Sequence, residues 1–315
     1  MYPKSNNIYI YQVMFRYALA RIFSVFLFVV LSISGWKRST VYANYRLAKG
    51  WNSSLNSPAS GGKFTGRFWR FYYKLLWNLC RHGGELLFCF PLFKELPREL
   101  EAYPCRRGGL KFEIDESSVA VVDEMRKGGI FLTAHYGNYE AMGPWFCCLG
   151  IPLAASYIPV KPMWLNRILE NRIRAVGGKT YSVNAKSPRE FLRLLADGRL
   201  FCLLSDQDSR IQSAEAGEFM GHGVHNNPVP GFLLKHRPET PVYICWIEEG
   251  DSRTKRLFAR RLPTSATSPA DPTPAAPGVM QHYNTWLESR IAEEPALWYG
   301  FAHRRFYSIS PEIYR

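Results

Sequence analysis

Short apolar runs alternate with stretches of helical periodicity along most of this chain. Ile130–Ala134, Ile151–Tyr157, Leu200–Ser205, Val242–Ile247 and Arg256–Arg261 are runs of five to seven residues that suit strands. Between and around them, Asn138–Leu149, Pro162–Val176, Ser187–Ala196, Asn227–His236 and Val279–Ala292 carry helical spacing. The Gly177-Gly178 pair is placed to stop the second of these. Leu110–Gly128 reads as a short strand and a helix ending at Arg126-Lys127-Gly128, just before the Ile130 run. Strands alternating with helices predict an α/β fold, a central mixed, largely parallel sheet flanked by helices on both faces. Thr264–Gly278 is a Pro/Ala/Ser loop with no capacity to form a core.

The amino-terminal part has a different pattern. Ile22–Trp36 is the most apolar segment, and as a helix it would span roughly 22 Å, short of a ~30 Å hydrocarbon core. Extending it back to Tyr17 includes Arg21, which can snorkel to an interface. The expectation is a membrane-anchoring helix; its rivals are a signal peptide, because Ser32-Ile33-Ser34 is a passable small-x-small site, and a buried or interfacial helix. Arg16 and Arg21 precede the segment and Lys37 and Arg38 follow it, so flanking charge leaves its orientation open. Val41–Lys49 continues as helix, and Gly50–Gly62 is a loop by composition. Lys63–Leu79 is helical, with Lys63, Arg67, Arg70 and Lys74 on one basic face and Phe64, Phe68, Phe71 and Leu75 supplying bulk. Two units follow: residues 1–62 as anchor helix and connecting segment, and 63–315 as the main domain.

Charge narrows the choice of partners. The formal net charge of +14 implies an anionic one, and aromatics at 15% interleaved with basic residues suit a membrane interface. No helix-turn-helix or RNA-binding signature accompanies the charge, so nucleic acid is not expected. The seven cysteines are odd in number and lack CxxC spacing, which reads as reduced thiols facing the cytosol, with no zinc site.

The chemistry concentrates in Gly129–Gly143, GIFLTAHYGNYEAMG. An apolar strand runs into His135-Tyr136-Gly137-Asn138 and then a helix start, which puts His135 at the carboxyl end of a strand, where open α/β sheets build their sites. His135 and Glu140 are five apart, about 140° of rotation in a regular helix, so they would not share a face there. With His135 still in the turn, the Glu140 carboxylate can reach back to orient and charge the imidazole as a general base. Gly137 lets the chain bend, and amides near Gly137-Asn138 could face a developing oxyanion. The motif holds no Ser or Cys nucleophile, so the base would act on a substrate hydroxyl.

The string His-Tyr-Gly-Asn-Tyr-Glu after an apolar strand resembles the late acyltransferases of lipid A biosynthesis, the lauroyl and myristoyl transferases of the lysophospholipid acyltransferase superfamily. The resemblance implies a glycerol-3-phosphate acyltransferase-like fold and an amino-terminal anchor in the bacterial inner membrane, with the catalytic domain facing the cytoplasm. The activity it implies is an O-acyltransferase without a cofactor. The acyl donor would be an acyl carrier protein thioester or acyl-CoA, and the acceptor a phosphorylated glycolipid such as a lipid A precursor. Asp206-Gln207-Asp208-Ser209-Arg210 follows a strand, and the family has a similar acidic motif there; two acids without a third ligand make a poor metal site. Phe219-Met220-Gly221-His222 resembles the family's aromatic-glycine segment, and His303-Arg304-Arg305-Phe306 its closing His-Arg-Arg, where Arg304 could hold phosphate. Tyr157-Ile158-Pro159 departs from the family's Tyr-Arg-Pro, and Lys161, Arg167, Arg172 or Arg174 would have to supply the missing charge. The expected site is therefore His135 and Glu140 for catalysis, with Gly137, Asn138, Lys161, Asp206, Gln207, Asp208, Arg210 and Arg304 on the substrate. The alternatives are acylation of another glycolipid or an aminolipid, or a non-catalytic basic protein that binds membrane or nucleic acid.

Overall fold

The computed structural model describes residues 6–51, 65–89, 93, 95–107, 109–156, 161–164, 166, 167, 170, 175, 176, 179, 180, 182, 183, 187–250, 253–264 and 278–315. An eight-stranded sheet organises them. Its strands are β1 (Cys105–Arg107), β2 (Leu110–Ile114), β3 (Gly129–Thr133), β4 (Leu153–Ser156), β7 (Ser182–Val183), β8 (Leu200–Leu204), β11 (Val242–Glu248) and β12 (Thr254–Leu262). In space they run β1-β2-β12-β11-β3-β8-β4-β7. Only β1 with β2 and β11 with β12 pair antiparallel; the other neighbours are parallel. Two small ribbons complete the strands: β5 (Ala175–Val176) with β6 (Lys179–Thr180), and β9 (Glu215–Phe219) with β10 (His222–Asn226).

Period-two alternation sends side chains to two separate cores. Ile130, Leu132, Phe201, Leu203, Ile244 and Trp246 enter one core. There they meet helices α2 (Arg38–Trp51), α3 (Gly66–Phe88), α6 (Pro188–Ala196), α7 (Val229–His236) and α8 (Val279–Glu293). Phe131, Leu153, Tyr243, Cys245 and Ile247 enter the other, against α4 (Val119–Glu124) and α5 (Met142–Cys148). The strands at the centre are apolar on both faces because both faces are covered. The architecture is α/β, with a mostly parallel mixed sheet flanked by helices.

The amino-terminal helix α1 (Asn6–Ser34) contains the one described stretch long and apolar enough to cross a membrane, Met14–Ser34, with mean hydropathy 2.0. It begins eight residues before the segment expected from the sequence, and its 21 residues span ~31 Å as a helix, enough for an anchor or a signal sequence. One side of α1 lies on α3. Gly84 marks the crossing, because a Cβ there would sit 2.3 Å from Ser24 Oγ and 2.5 Å from the Ala20 carbonyl oxygen. Phe28 packs edge-on against Trp77 with ring centroids 5.7 Å apart. The other side leaves Ile22, Val25, Phe26, Val29 and Ile33 exposed.

Several expectations shift. The helix expected over Lys63–Leu79 runs on to Phe88, since Cys80, His82 and Glu85 continue its buried face. Arg67, Arg70 and Lys74 share its exposed side, while Lys63 lies outside the described residues. The helix expected over Val41–Lys49 forms as α2, and its Val41, Tyr45 and Ala48 join the main core; the expected 62/63 boundary lies outside the described residues. Ala175–Val176 is not the end of a helix: it pairs antiparallel with Lys179–Thr180, an extended conformation that suits Val176 and Thr180. Tyr157-Ile158-Pro159, Arg172, Arg174, Gly177-Gly178 and most of the Thr264–Gly278 loop lie outside the described residues. Phe219-Met220-Gly221-His222 forms the turn of the β9–β10 hairpin, where Met220 and Gly221 both have positive φ, as a type I′ turn requires.

Candidate active site

Strand register builds the site. β3 and β8 are parallel neighbours, with Thr133 opposite Leu204. Two residues beyond that pair on each strand stand His135 and Asp206, 71 positions apart in sequence but side by side at the carboxyl edge of the sheet. The Ser205 amide still bonds the Thr133 carbonyl at 3.1 Å, so the strands hold each other up to the point where the two side chains emerge.

Asp206 is almost fully buried and accepts three hydrogen bonds. His135 Nδ1 approaches Oδ1 at 2.8 Å, the His135 amide donates to Oδ2 at 3.1 Å, and Trp298 Nε1 donates to Oδ2 at 2.9 Å. A carboxylate on Nδ1 puts the proton of the neutral ring there and leaves Nε2 as the basic nitrogen. The His135 side chain retains 18% exposure, whereas that of Asp206 has none, so the pair meets solvent only through the imidazole.

The electrostatics follow. Burial alone would push the His135 ring down, but the charge of Asp206, its hydrogen bond and the charge of Glu140 outweigh it, and the pKa lies above the ordinary value. Burial would likewise raise Asp206, but the facing imidazole and the donors from His135 and Trp298 hold it at about 2. The arrangement is an imidazole held by an ionised carboxylate, which can act as a general base.

The expected partner of the imidazole is thereby corrected. Glu140 lies in a one-turn 3-10 helix, Tyr139–Ala141, and acts on His135 through charge, while Asp206 holds Nδ1. Asp206 was expected on the substrate; its burial makes it an orienting acid instead. The expected oxyanion donor is corrected for the Gly137 amide. With φ at +58° and the Ile247 carbonyl 3.3 Å from where a Cβ would be, Gly137 turns its amide onto the Leu297 carbonyl at 2.9 Å. The Asn138 side chain is buried and donates to Glu85 at 2.7 Å, so it braces the turn.

The segment after α8 forms the other wall, which the sequence did not suggest. Leu297 accepts from Gly137, Tyr136 bridges to Trp298, and the Tyr299 amide donates to the His135 carbonyl at 2.8 Å. The aromatic run Trp298-Tyr299 was the only signal available. The His303 ring lies 5.6 Å from that of His135, and burial followed by His135 itself pushes its pKa down.

The remaining expected residues fall in two places. Asp208 bonds the Ser308 amide at 3.1 Å and its hydroxyl, and pairs with Arg210 at 3.5 Å, which ties the post-β8 loop to the carboxyl terminus. Arg210 and Arg304 are exposed and both lie over the Tyr307 ring, at 4.9 and 5.4 Å. Arg305 is the buried one of the arginine pair and donates to the carbonyls of Gln207 and His225 and to Asn226 Oδ1. The Gln207 side chain and Lys161 are exposed. Among the described residues, no three His, Cys, Asp or Glu side chains converge to hold a metal ion. Clefts of about 110 Å3 and 60 Å3 flank Tyr139 and Glu140.

No family model matches the chain, and no curated protein matches it.

Proposed function

We propose that the chain is a membrane-associated O-acyltransferase with a glycerol-3-phosphate acyltransferase-like fold. The observation that carries this reading is the His135–Asp206 pair, a raised-pKa imidazole with a basic Nε2 at the carboxyl edge of a parallel sheet. It is joined by the resemblance of His135-Tyr136-Gly137-Asn138-Tyr139-Glu140 to the late lipid A acyltransferases. In this reading His135 Nε2 takes the proton of an acceptor hydroxyl as its oxygen attacks an acyl thioester carbonyl. Asp206, with Glu140 contributing charge, stabilises the imidazolium; collapse of the tetrahedral adduct expels a thiolate, which takes that proton back.

The donor would be acyl carrier protein or acyl-CoA, and the acceptor a phosphorylated glycolipid such as a lipid A precursor. Exposed Arg210 and Arg304 beside Tyr307 are suited to phosphate. The apolar α1 supports attachment to a membrane, which we take to be the bacterial inner membrane with the sheet on its cytoplasmic side.

The test is release of free thiol from an acyl-acyl carrier protein and from acyl-CoA by purified protein with a lipid A precursor. Thiol release and a heavier glycolipid that both vanish in His135→Ala are the expected outcome. A folded wild-type protein that turns over neither donor would overturn the reading.

A further inference from the structure

Arg305 is almost fully buried, and its guanidinium grips neutral oxygens. Nη1 donates to the Gln207 carbonyl at 3.0 Å and to the His225 carbonyl at 2.7 Å, and Nη2 donates to Asn226 Oδ1 at 2.5 Å. The fork thus ties the segment that leaves β8 to the end of β10. Among the described residues no carboxylate pairs with it. Burial pushes its pKa down, yet a guanidinium stays protonated in a protein. A buried charge without a partner in contact is costly.

Two carboxylates lie near enough for their charge to reach it, Asp206 and Asp208. Asp208 is already engaged, by Arg210 at 3.5 Å and by the Ser308 amide at 3.1 Å. Asp206 is left, one residue before the Gln207 carbonyl that Arg305 holds. A second route joins them. Arg305 sits over the Phe219 ring at 5.7 Å, and Phe219 packs edge-on at 5.4 Å against Trp298, the indole that donates to Asp206.

Counting charge shows what the cation does. With the His135 ring neutral, Asp206 and Arg305 sum to zero. When the ring takes a proton, the same set becomes a net cation. The state in which Nε2 can accept a proton is therefore the balanced one. Tyr139, Glu140 and His303 also face the ring, and Tyr283 and Tyr314 also face Arg305. Burial keeps Tyr283 and Tyr314 neutral and pushes His303 down, while Glu140 favours the charged ring. Arg305 is the fixed charge that opposes Glu140.

We propose that Arg305 is a positioning residue for the imidazole: its guanidinium is the standing counter-charge of Asp206, and its fork fixes the segment that presents that acid to His135. That this balance serves proton transfer rests on the acyl-transfer reading; the balance itself does not.

The test separates charge from shape. Arg305→Gln removes the charge and keeps an amide donor, and Arg305→Lys keeps the charge and loses the fork. Full-length protein with 13C-labelled histidine is titrated in amphipol without substrate, the His135 resonance being the one lost in His135→Ala. In Arg305→Gln the His135 pKa should rise by about 1, and in Arg305→Lys and in Arg304→Gln, the exposed neighbour, it should stay near wild type. In denaturant unfolding, Asp206→Asn with Arg305→Gln should lose less stability than the two single losses added, because each single change strands the other's charge. Where Arg305→Gln alone does not fold, the double variant should. An unmoved ring in folded Arg305→Gln, an equal rise in Arg305→Lys, additive losses, or a double variant that fails to fold alongside the single one overturns the proposal. The expected titrations in a protein that turns over no thioester would leave Arg305 its place beside the ring and remove only the catalytic reading.

Discussion

Two buried ionic clusters sit on opposite sides of the turn at Gly137, and they do different things with charge. One is His135, Asp206 and Trp298. The other joins Arg81, His82 and Glu85 of α3 to Glu249 and Lys255 beside the β11–β12 turn. Lys255 Nζ lies 2.6 Å from Glu85 and 2.7 Å from Glu249, Arg81 pairs with Glu249, and His82 Nδ1 meets the Tyr299 hydroxyl at 2.5 Å. Burial would push Lys255 down, but its two carboxylates hold it above the ordinary range, and Glu249 is held well below the carboxylate range by the cations around it. Lys255 and Arg81 are thus matched against fixed anions. The first cluster has one acid and one ring, and the ring is the part of it that meets solvent. A buried charge becomes chemistry only where one protonation site is left unmatched and within reach of solvent.

The second cluster nevertheless serves the first. Glu85 holds Asn138, and His82 holds Tyr299, whose amide fixes the His135 carbonyl. The turn that presents the imidazole is therefore clamped from α3.

The sharpest way to break the comparison is to remove the one group said to move a proton. His135→Ala should cost roughly 10²–10⁴-fold in thiol release in protein that still folds, with a lowered melting temperature because buried Asp206 loses its partner at Oδ1. In the double variant with Asp206→Asn, little more should be lost, because the pair acts as a unit. A folded His135→Ala protein with more than about a tenth of wild-type turnover would place the base elsewhere.

Lys255→Met should have the opposite profile. It removes the buried cation shared by Glu85 and Glu249 and leaves them only Arg81 and Asn138, and breaking a buried pair costs about 3–5 kcal/mol of stability. Denaturant unfolding should show that loss. Surviving folded protein should keep the pH profile of wild-type turnover, since the proposed reaction passes its proton through His135 and not through this cluster. A shifted profile would mean that the two clusters exchange protons after all.

Much of this was legible in the sequence, and what was not shares one cause. The strand before His135 and the strand before Asp206 both show as apolar runs, so each side chain could be placed at a strand end. Their pairing needed the β3–β8 register, which no local pattern contains. Glu140 stood in for Asp206 because it is near in sequence. Lys255 was visible in principle: in Thr254–Leu262 the alternation puts it on the inward face with Leu257 and Ala259. Which of Arg304 and Arg305 is buried had no local signal, since only packing against Gln207, His225 and Asn226 separates them.

Asp206→Asn tests the orienting acid through pH. With Asp206 present the ring's pKa lies above its ordinary value, and the base must be neutral to accept a proton, so turnover should rise with pH through an inflection above ~6.5. The amide removes the charge that opposes burial, so the inflection should move down as the rate falls by about 10²-fold or more. Linkage gives the same sign in stability. The raised pKa stabilises the wild type below pH ~6.5, that stabilisation is lost as pH rises through the folded value, and the variant should lack this dependence. An unmoved inflection would assign the titration to another group, with His303 next in line at 5.6 Å.

The smallest expected effect is also the most discriminating. Trp298→Phe deletes one donor to Asp206 Oδ2 and leaves the His135 amide in place. A hydrogen bond to a charged acceptor contributes about 1.5–3 kcal/mol, part of which appears as stability, together with a packing loss where the Trp298 ring presses on Gly300. The charge of Asp206 remains, and without the indole dipole its field at the imidazole strengthens. The His135 pKa should therefore rise, and the pH inflection of turnover should move up, opposite in sign to Asp206→Asn. The rate well above the inflection should fall by only about tenfold or less, because the base and its orienting acid both survive. If Trp298→Phe moves the inflection down, the indole is positioning the ring rather than tuning the acid. The first cluster would then be a packed scaffold like the second.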